Sequence, residues 1–209
     1  MSEQADTARL PRRDLSLSAW CLGIFVGLFG IEPYFSDPGI VWIPDYGNFP
    51  VFHSSFYLYL VGVIIWSIVL CNLLIKMHRQ YRGSLGLKAA IMALLTGILW
   101  MGHFLFYRST HDVVVASLNN ALLCTGAITL GITMILIGAL YAQVLSGTSR
   151  ILHPLVVISF IVAGIFGIAV GYIGGYSPLS IFTVFDIPLI SIVMIIPCIL
   201  AALFHLVVK

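Results

Sequence analysis

The residues best suited to chemistry crowd into one short stretch, "MGHFLFYRSTHDVV", residues 101–114, which holds His103, Arg108, His111 and Asp112. Imidazole and carboxylate together suit zinc, copper, iron or nickel. Other parts of the chain add the same types of group. Asp37 and His53 stand upstream and Asp186 stands downstream. Glu32, Asp45, Asp112, Asn119 and Asn120 could orient the ligands, since a metal-bound histidine normally gives its other ring nitrogen to an acceptor. The candidate ligand set is therefore His53, His103, Asp37 and Asp186 for a metal ion, with His53, His103 and His111 as cofactor-binding imidazoles. No H-x-x-x-H or H-E-x-x-H pair occurs, so helical spacing does not single out any two of them. A structural polar network would use the same residues.

These groups are conspicuous because the rest of the chain has so few. Of 209 residues, 60% are hydrophobic and only 9% are charged. Soluble domains carry about 25% charged residues; this chain could not cover a globular surface with polar groups. It reads as an all-α, polytopic membrane protein, an integral protein of a bacterial or archaeal cytoplasmic membrane. A net charge of +2 calls for no nucleic acid. The lipid bilayer is the first partner.

Six apolar runs, near 17–35, 54–76, 86–107, 114–144, 153–173 and 180–208, are the elements that must position the polar groups. Most reach the roughly 17–25 residues needed to cross a hydrocarbon core of about 30 Å. The fourth is longer, so it tilts or its first turns project. Arg9, Arg12, Arg13, Lys76, Arg79, Arg82, Lys88, Arg150 and Lys209 all fall on one side of a six-span arrangement, and only Arg108 falls on the other. The positive-inside rule makes the crowded side cytoplasmic, with both termini there. The expected organisation is a cytoplasmic tail, 1–16, and one six-helix bundle, 17–209. Within the bundle, residues 36–55 form an ordered outer loop rich in proline, glycine and interfacial aromatics (Trp42, Tyr46).

On this topology the polar groups share a depth. His103 lies about 6 Å below the outer rim of the third span, and Asp186 about 9 Å inside the sixth, at 1.5 Å per residue. Asn119 and Asn120 lie at a similar level, His53 opens the second span, and Glu32 sits near the end of the first. Ionisable groups inside spans cost up to about 3 kcal/mol, so they turn inward and find partners. The other histidines, His78, His153 and His205, fall towards the cytoplasmic side. His153 and His205 could face each other, which admits a two-haem reading with imidazole ligands at each membrane face. A copper or zinc ion at the outer layer is expected ahead of haem b.

Small residues predict close helix packing. Ser159, Ala163, Gly167, Gly171 and Gly175 recur every four residues, as do Gly23 and Gly27 with Gly30 nearby; Ser117, Asn120, Cys124, Ala127, Gly131 and Gly138 follow spacings of three, four and seven. Such faces let backbones approach closely in lipid. They point to a tight bundle, or to contact with other membrane subunits or a second copy. Cys21, Cys71, Cys124 and Cys198 all fall inside apolar runs without a C-x-x-C pair, as packing residues do, and no disulfide framework is indicated.

The segments "YFSDPGIVW", "DYGNFPVFHSSFY" and "LKAAIMALLTGILWMGHFLF" resemble the C-type subunits of the membrane methane and ammonia monooxygenases. The resemblance implies a metal site, copper in that family, in which Asp37 and His53 match the first and last ligands. The middle ligand has no counterpart, because Val41 and Trp42 stand where a histidine is expected. The acids that follow the later "GH" in the family are absent too, and members of the family do not end with two further spans.

Other catalytic signatures are missing: the chain has no G-x-S-x-G, no P-loop and no mid-span lysine for a Schiff base. The expected function is a membrane subunit of a multi-subunit redox complex with a His/acid metal or haem site at the outer face. Two alternatives stand beside it. One is a small transporter or channel built around Asp186, with Pro188 and Pro197 breaking the last helix. The other is a non-catalytic accessory subunit.

Overall fold

The structure, a computed structural model, describes residues 41–42, 50–51, positions 61, 64–65, 67–68, 70–72, 74–75 and 78–79, and residues 84–106, 113–144, 151–173, 183–184 and 187–207. Two short hairpins flank the helical part. β1 (Val41–Trp42) pairs antiparallel with β2 (Pro50–Val51), Val41 opposite Val51. β3 (Thr183–Val184) pairs likewise with β4 (Ile187–Pro188). Between them run α1 (Ser84–Phe106), α2 (Val113–Val144) and α3 (Leu152–Ile173), and after them α4 (Leu189–Val207). The described positions between 61 and 79 are helical as well.

Local chemistry sets the helix ends. Pro154 sits in the first turn of α3, where its missing N–H costs nothing, and the next residue makes the first turn's bond, Leu155 N–H to Ile151 O at 3.4 Å. Pro188 corrects the sixth apolar run. A residue before proline is driven to extended backbone, so Ile187 pairs in β4 and helix begins only at Leu189, not near Ser180. Asp186 therefore precedes the last helix, and its expected depth inside that span is withdrawn. Pro197 lies within α4, but the helix continues through it to Val207.

Each helix packs antiparallel on the one before it. Ser67 meets Gly97, and Leu74 and His78 meet Gly86. Trp100 lies on Gly126 and Leu122 on Gly102; Gly131 faces Gly164, Cys124 faces Gly171, and Met194 of α4 reaches Gly167. Because Gly171 is level with Cys124 and α3 stops at Ile173, the first two turns of α2 run past the end of α3. The 32 residues of α2 measure about 48 Å at 1.5 Å each, so projection of its first turns is what its length requires.

The glycine faces are consumed inside the chain. A Cβ on Gly131 would lie 2.5 Å from Gly164 O, one on Gly164 would lie 2.5 Å from Gly131 O, and one on Gly171 would lie 2.5 Å from Cys124 O. These backbones touch, so the α2 and α3 glycine faces serve each other and not a partner subunit. Gly164, outside the expected four-residue stripe, is at the centre of the contact. Ser117 and Asn120, expected on the small-residue face of α2, are exposed instead. Gly23, Gly27, Gly30 and Gly175 lie outside the described residues.

Polarity is distributed inside out. The buried set includes Ser67, Thr96, Asn119, Thr129 and Thr133, while Leu87, Ile91, Leu94 and Ile98 of α1 and Leu155, Ile158, Val162 and Ile165 of α3 are exposed. A water-soluble bundle would bury those branched side chains and expose the hydroxyls. Lipid reverses the preference. The threonines are satisfied within their own helices: Thr96, Thr129 and Thr133 donate to Met92 O, Gly126 O and Thr129 O at 2.8, 3.0 and 2.8 Å. Ser84–His103, Ser117–Gln143 and Leu152–Ile173 are each long and apolar enough to cross a membrane, and Ile192–Phe204 is a shorter apolar helix. Among the described residues the protein is a helical bundle with three candidate membrane spans.

Candidate functional site

His103 occupies the last turn of α1, and its half-buried ring points at α2. Its Nδ1 lies 3.3 Å from the backbone carbonyl of Asn119. A carbonyl only accepts, so Nδ1 carries the proton and the lone pair is on Nε2. The buried carboxamide of Asn119 faces the same imidazole. One turn deeper the Trp100 indole is fully buried, lying where a Cβ on Gly126 would be 2.5 Å from its Cδ1 and Nε1. Trp100 and His103, three apart, share a helix face. Asn119 and Gly126, seven apart on α2, receive them.

The opposite end of the bundle holds a second histidine contact. His153 Nε2 donates to Tyr141 O at 3.0 Å. Tyr141 is in the last turn of α2, whose final four carbonyls lack helical partners, so His153 caps α2 from the start of α3. The buried Tyr141 ring stacks on Phe160 at 5.6 Å and meets Phe204 edge-on at 6.3 Å. The side chain facing His153 is Phe204, with ring centroids 6.1 Å apart. The side chain of His205 is outside those described, and the expected facing of His153 and His205 lies there with it. His153 clasps the end of α2 to the start of α3.

Of the expected site residues, the structure brings His103 and Asn119 together. It does not join Asn120 to them. Asn120 is exposed, and its Oδ1 accepts only a long 3.8 Å contact from the Cys124 thiol. Glu32, Asp37, Asp45, His53, His111, Asp112 and Asp186 lie outside the described residues. Among the described residues no three His, Cys, Asp or Glu side chains gather as a metal site. Cys71, Cys124 and Cys198 are free thiols. Cys71 and Cys198 donate to the carbonyls of Ala90 and Met194 at 3.3 and 3.5 Å, as packing residues do.

The parts played by Trp100, Gly126, Gly164 and the His153 clasp emerge only from the structure. Gly164 and Gly171 stand seven apart, as do Gly131 and Gly138, and that heptad spacing is a signal the sequence does carry. Nothing in the sequence marks the other three.

No family model, no curated protein and no solved structure matches this chain. The likeness of residues 34–106 to the membrane monooxygenases thus rests on short motifs alone.

Proposed function

We propose that the chain is an integral membrane subunit of a multi-subunit redox complex, with a small His/acid metal site in the outer membrane layer centred on His103. The observation that carries the reading is the Nδ1–H to Asn119 carbonyl contact. Metal-bound histidines are oriented in this way, their second ring nitrogen held by a carbonyl so that Nε2 faces the ion. In this proposal His53, Asp37 and Asp186 complete the ligand set, with Glu32, Asp45, His111 and Asp112 nearby in the wet layer. The bundle has six spans, both termini are cytoplasmic, and the membrane is a bacterial or archaeal cytoplasmic membrane.

Metal and spectrum decide it. Purified protein is expected to carry about one copper or zinc per chain, lost in His103→Ala and kept in His153→Ala. Metal-free native protein, or unchanged metal content in His103→Ala, overturns the site.

The topology is tested separately. Single cysteines at Asp45 and Thr110 should label from outside, and those at Ser84 and Ser149 from inside. External labelling at Ser149 would reverse the orientation.

An accessory role without a metal is the second reading, supported by the His153 contact that joins α2 to α3. A small transporter or channel around Asp186 is the third reading, with Pro188 interrupting the last apolar run and α4 running on through Pro197.

A further inference from the structure

We propose that the end of the bundle opposite His103 binds acidic phospholipid. Arg79 and Lys88 hold the headgroup phosphates, and the exposed aliphatic residues beside them lie against the acyl chains.

Helix packing gathers the positive charge. A Cβ on Gly86 would lie 3.0 Å from both His78 N and Leu74 O, so the helix that includes residues 74–79 meets the first turn of α1 backbone to backbone. Arg79 and Lys88 adjoin these contacts in the chain, and both are exposed. α2 runs back along α1, with Leu122 at Gly102 and Trp100 at Gly126, and so finishes at the same end. There Tyr141 meets His153 of α3 and Phe204 of α4. Every connection at this end carries a base: Arg82 follows Arg79, Arg150 precedes Ile151, and Lys209 stands two residues beyond α4. The described residues contain no Asp or Glu, and the sequence has none at 46–111, 113–185 or 187–209. The tail 1–16 balances Glu3, Asp6 and Asp14 with three arginines, so it supplies no surplus negative charge.

The neighbours of the bases decide the kind of anion. Ile75 stands one helical turn before Arg79, Leu87 and Ile91 flank Lys88, and Ile151 follows Arg150; all four aliphatic side chains are exposed. Residues three or four apart share a helix face, so charge and apolar surface alternate along the same faces. A free phosphate ion or an acidic protein surface has no use for the aliphatic groups. A phospholipid uses both, and bases clustered at the end of a membrane helix attract acidic headgroups in this way. Each such base contributes about fivefold in affinity, the equivalent of about 1 kcal/mol.

The test uses the full chain, reconstituted in phosphatidylcholine vesicles with a trace of spin-labelled phosphatidylglycerol or spin-labelled phosphatidylcholine. Electron paramagnetic resonance then reads the fraction of each lipid held at the protein. Wild type is expected to prefer phosphatidylglycerol by at least about fivefold at low salt. The preference should shrink in 1 M NaCl, where the screening length falls to about 3 Å. Arg79→Gln with Lys88→Gln should lose most of it, whereas Arg79→Lys with Lys88→Arg should retain it. Both positions are exposed, so neither pair of changes disturbs the packing. Equal retention of the two lipids by wild type overturns the proposal, as does an undiminished preference in the glutamine variant. A preference abolished by millimolar inorganic phosphate would assign the end to the free ion. One that emerges only when Glu3, Asp6 and Asp14 are neutralised would assign it to the tail. Either result overturns the lipid assignment.

Discussion

Gly164→Leu is expected to take the bundle apart. At this residue a Cβ would lie 2.5 Å from both Gly131 O and Ile135 Cγ1, and 3.0 Å from Ile135 N. Two of those three atoms belong to backbone in the middle of α2, so no rotamer change relieves the clash. Helix association in lipid depends on this close packing, because the tails supply no hydrophobic drive. The cost should reach at least the upper end of ordinary overpacking, about 3 kcal/mol. Reversible unfolding in mixed micelles would read it as loss of the native transition or a large fall in its midpoint. Gly102→Ala is the control. Its Cβ would meet only Leu122 Cδ1 and Cδ2, at 3.4 and 3.7 Å, and alanine is the better helix former by about 1 kcal/mol. It should be neutral or stabilising. If Gly164→Leu melts like wild type, α2 and α3 do not pack as described.

Trp100→Ala should have the second largest effect. The side chain is fully buried in a slot opened by the absence of a side chain at Gly126. In lipid the transfer part of the usual large-to-small penalty shrinks, since a released indole finds an apolar surrounding. The cavity part remains, and about 3 kcal/mol is expected from the low end of the range for aromatic truncation. Coupling gives the sharper test. Gly126→Ala alone should destabilise, because its Cβ would lie 2.5 Å from the indole Cδ1 and Nε1. In the Trp100→Ala background the same change has space and should be harmless. The double variant should therefore be more stable than the sum of the singles by at least about 1 kcal/mol, as expected for residues in contact. Simple additivity would mean that Trp100 does not occupy the Gly126 slot.

Much of the architecture is legible in the sequence. The apolar runs at 86–107, 114–144 and 153–173 coincide with α1, α2 and α3 to within two residues at each end, because long unbroken apolar stretches leave little choice but helix. The last helix starts later than its apolar run, since Pro188 and the β-branched Thr183, Val184 and Ile187 decide locally for a hairpin. Hydropathy does not sense that preference.

The site is legible in part, for a different reason. Depth places His103 and Asn119 at one level, and depth follows from counting residues along helices. Depth does not tell direction around the axis. Asn119 and Asn120 share a level but point about 100° apart, one buried against the imidazole and the other exposed. The close contact at Gly164 escapes a four-residue stripe because the backbones meet every seven residues.

Everything proposed for the site depends on the protonation of one ring. Metal-free protein labelled with ¹⁵N-histidine, with His103→Ala used to assign the resonance, reports which nitrogen of His103 bears the proton. The expected result is Nδ1 protonated and Nε2 bare, with the Nε2 resonance alone moving strongly when Zn²⁺ or Cu²⁺ is added. A proton on Nε2, or an Nε2 resonance indifferent to either ion, would contradict the metal site.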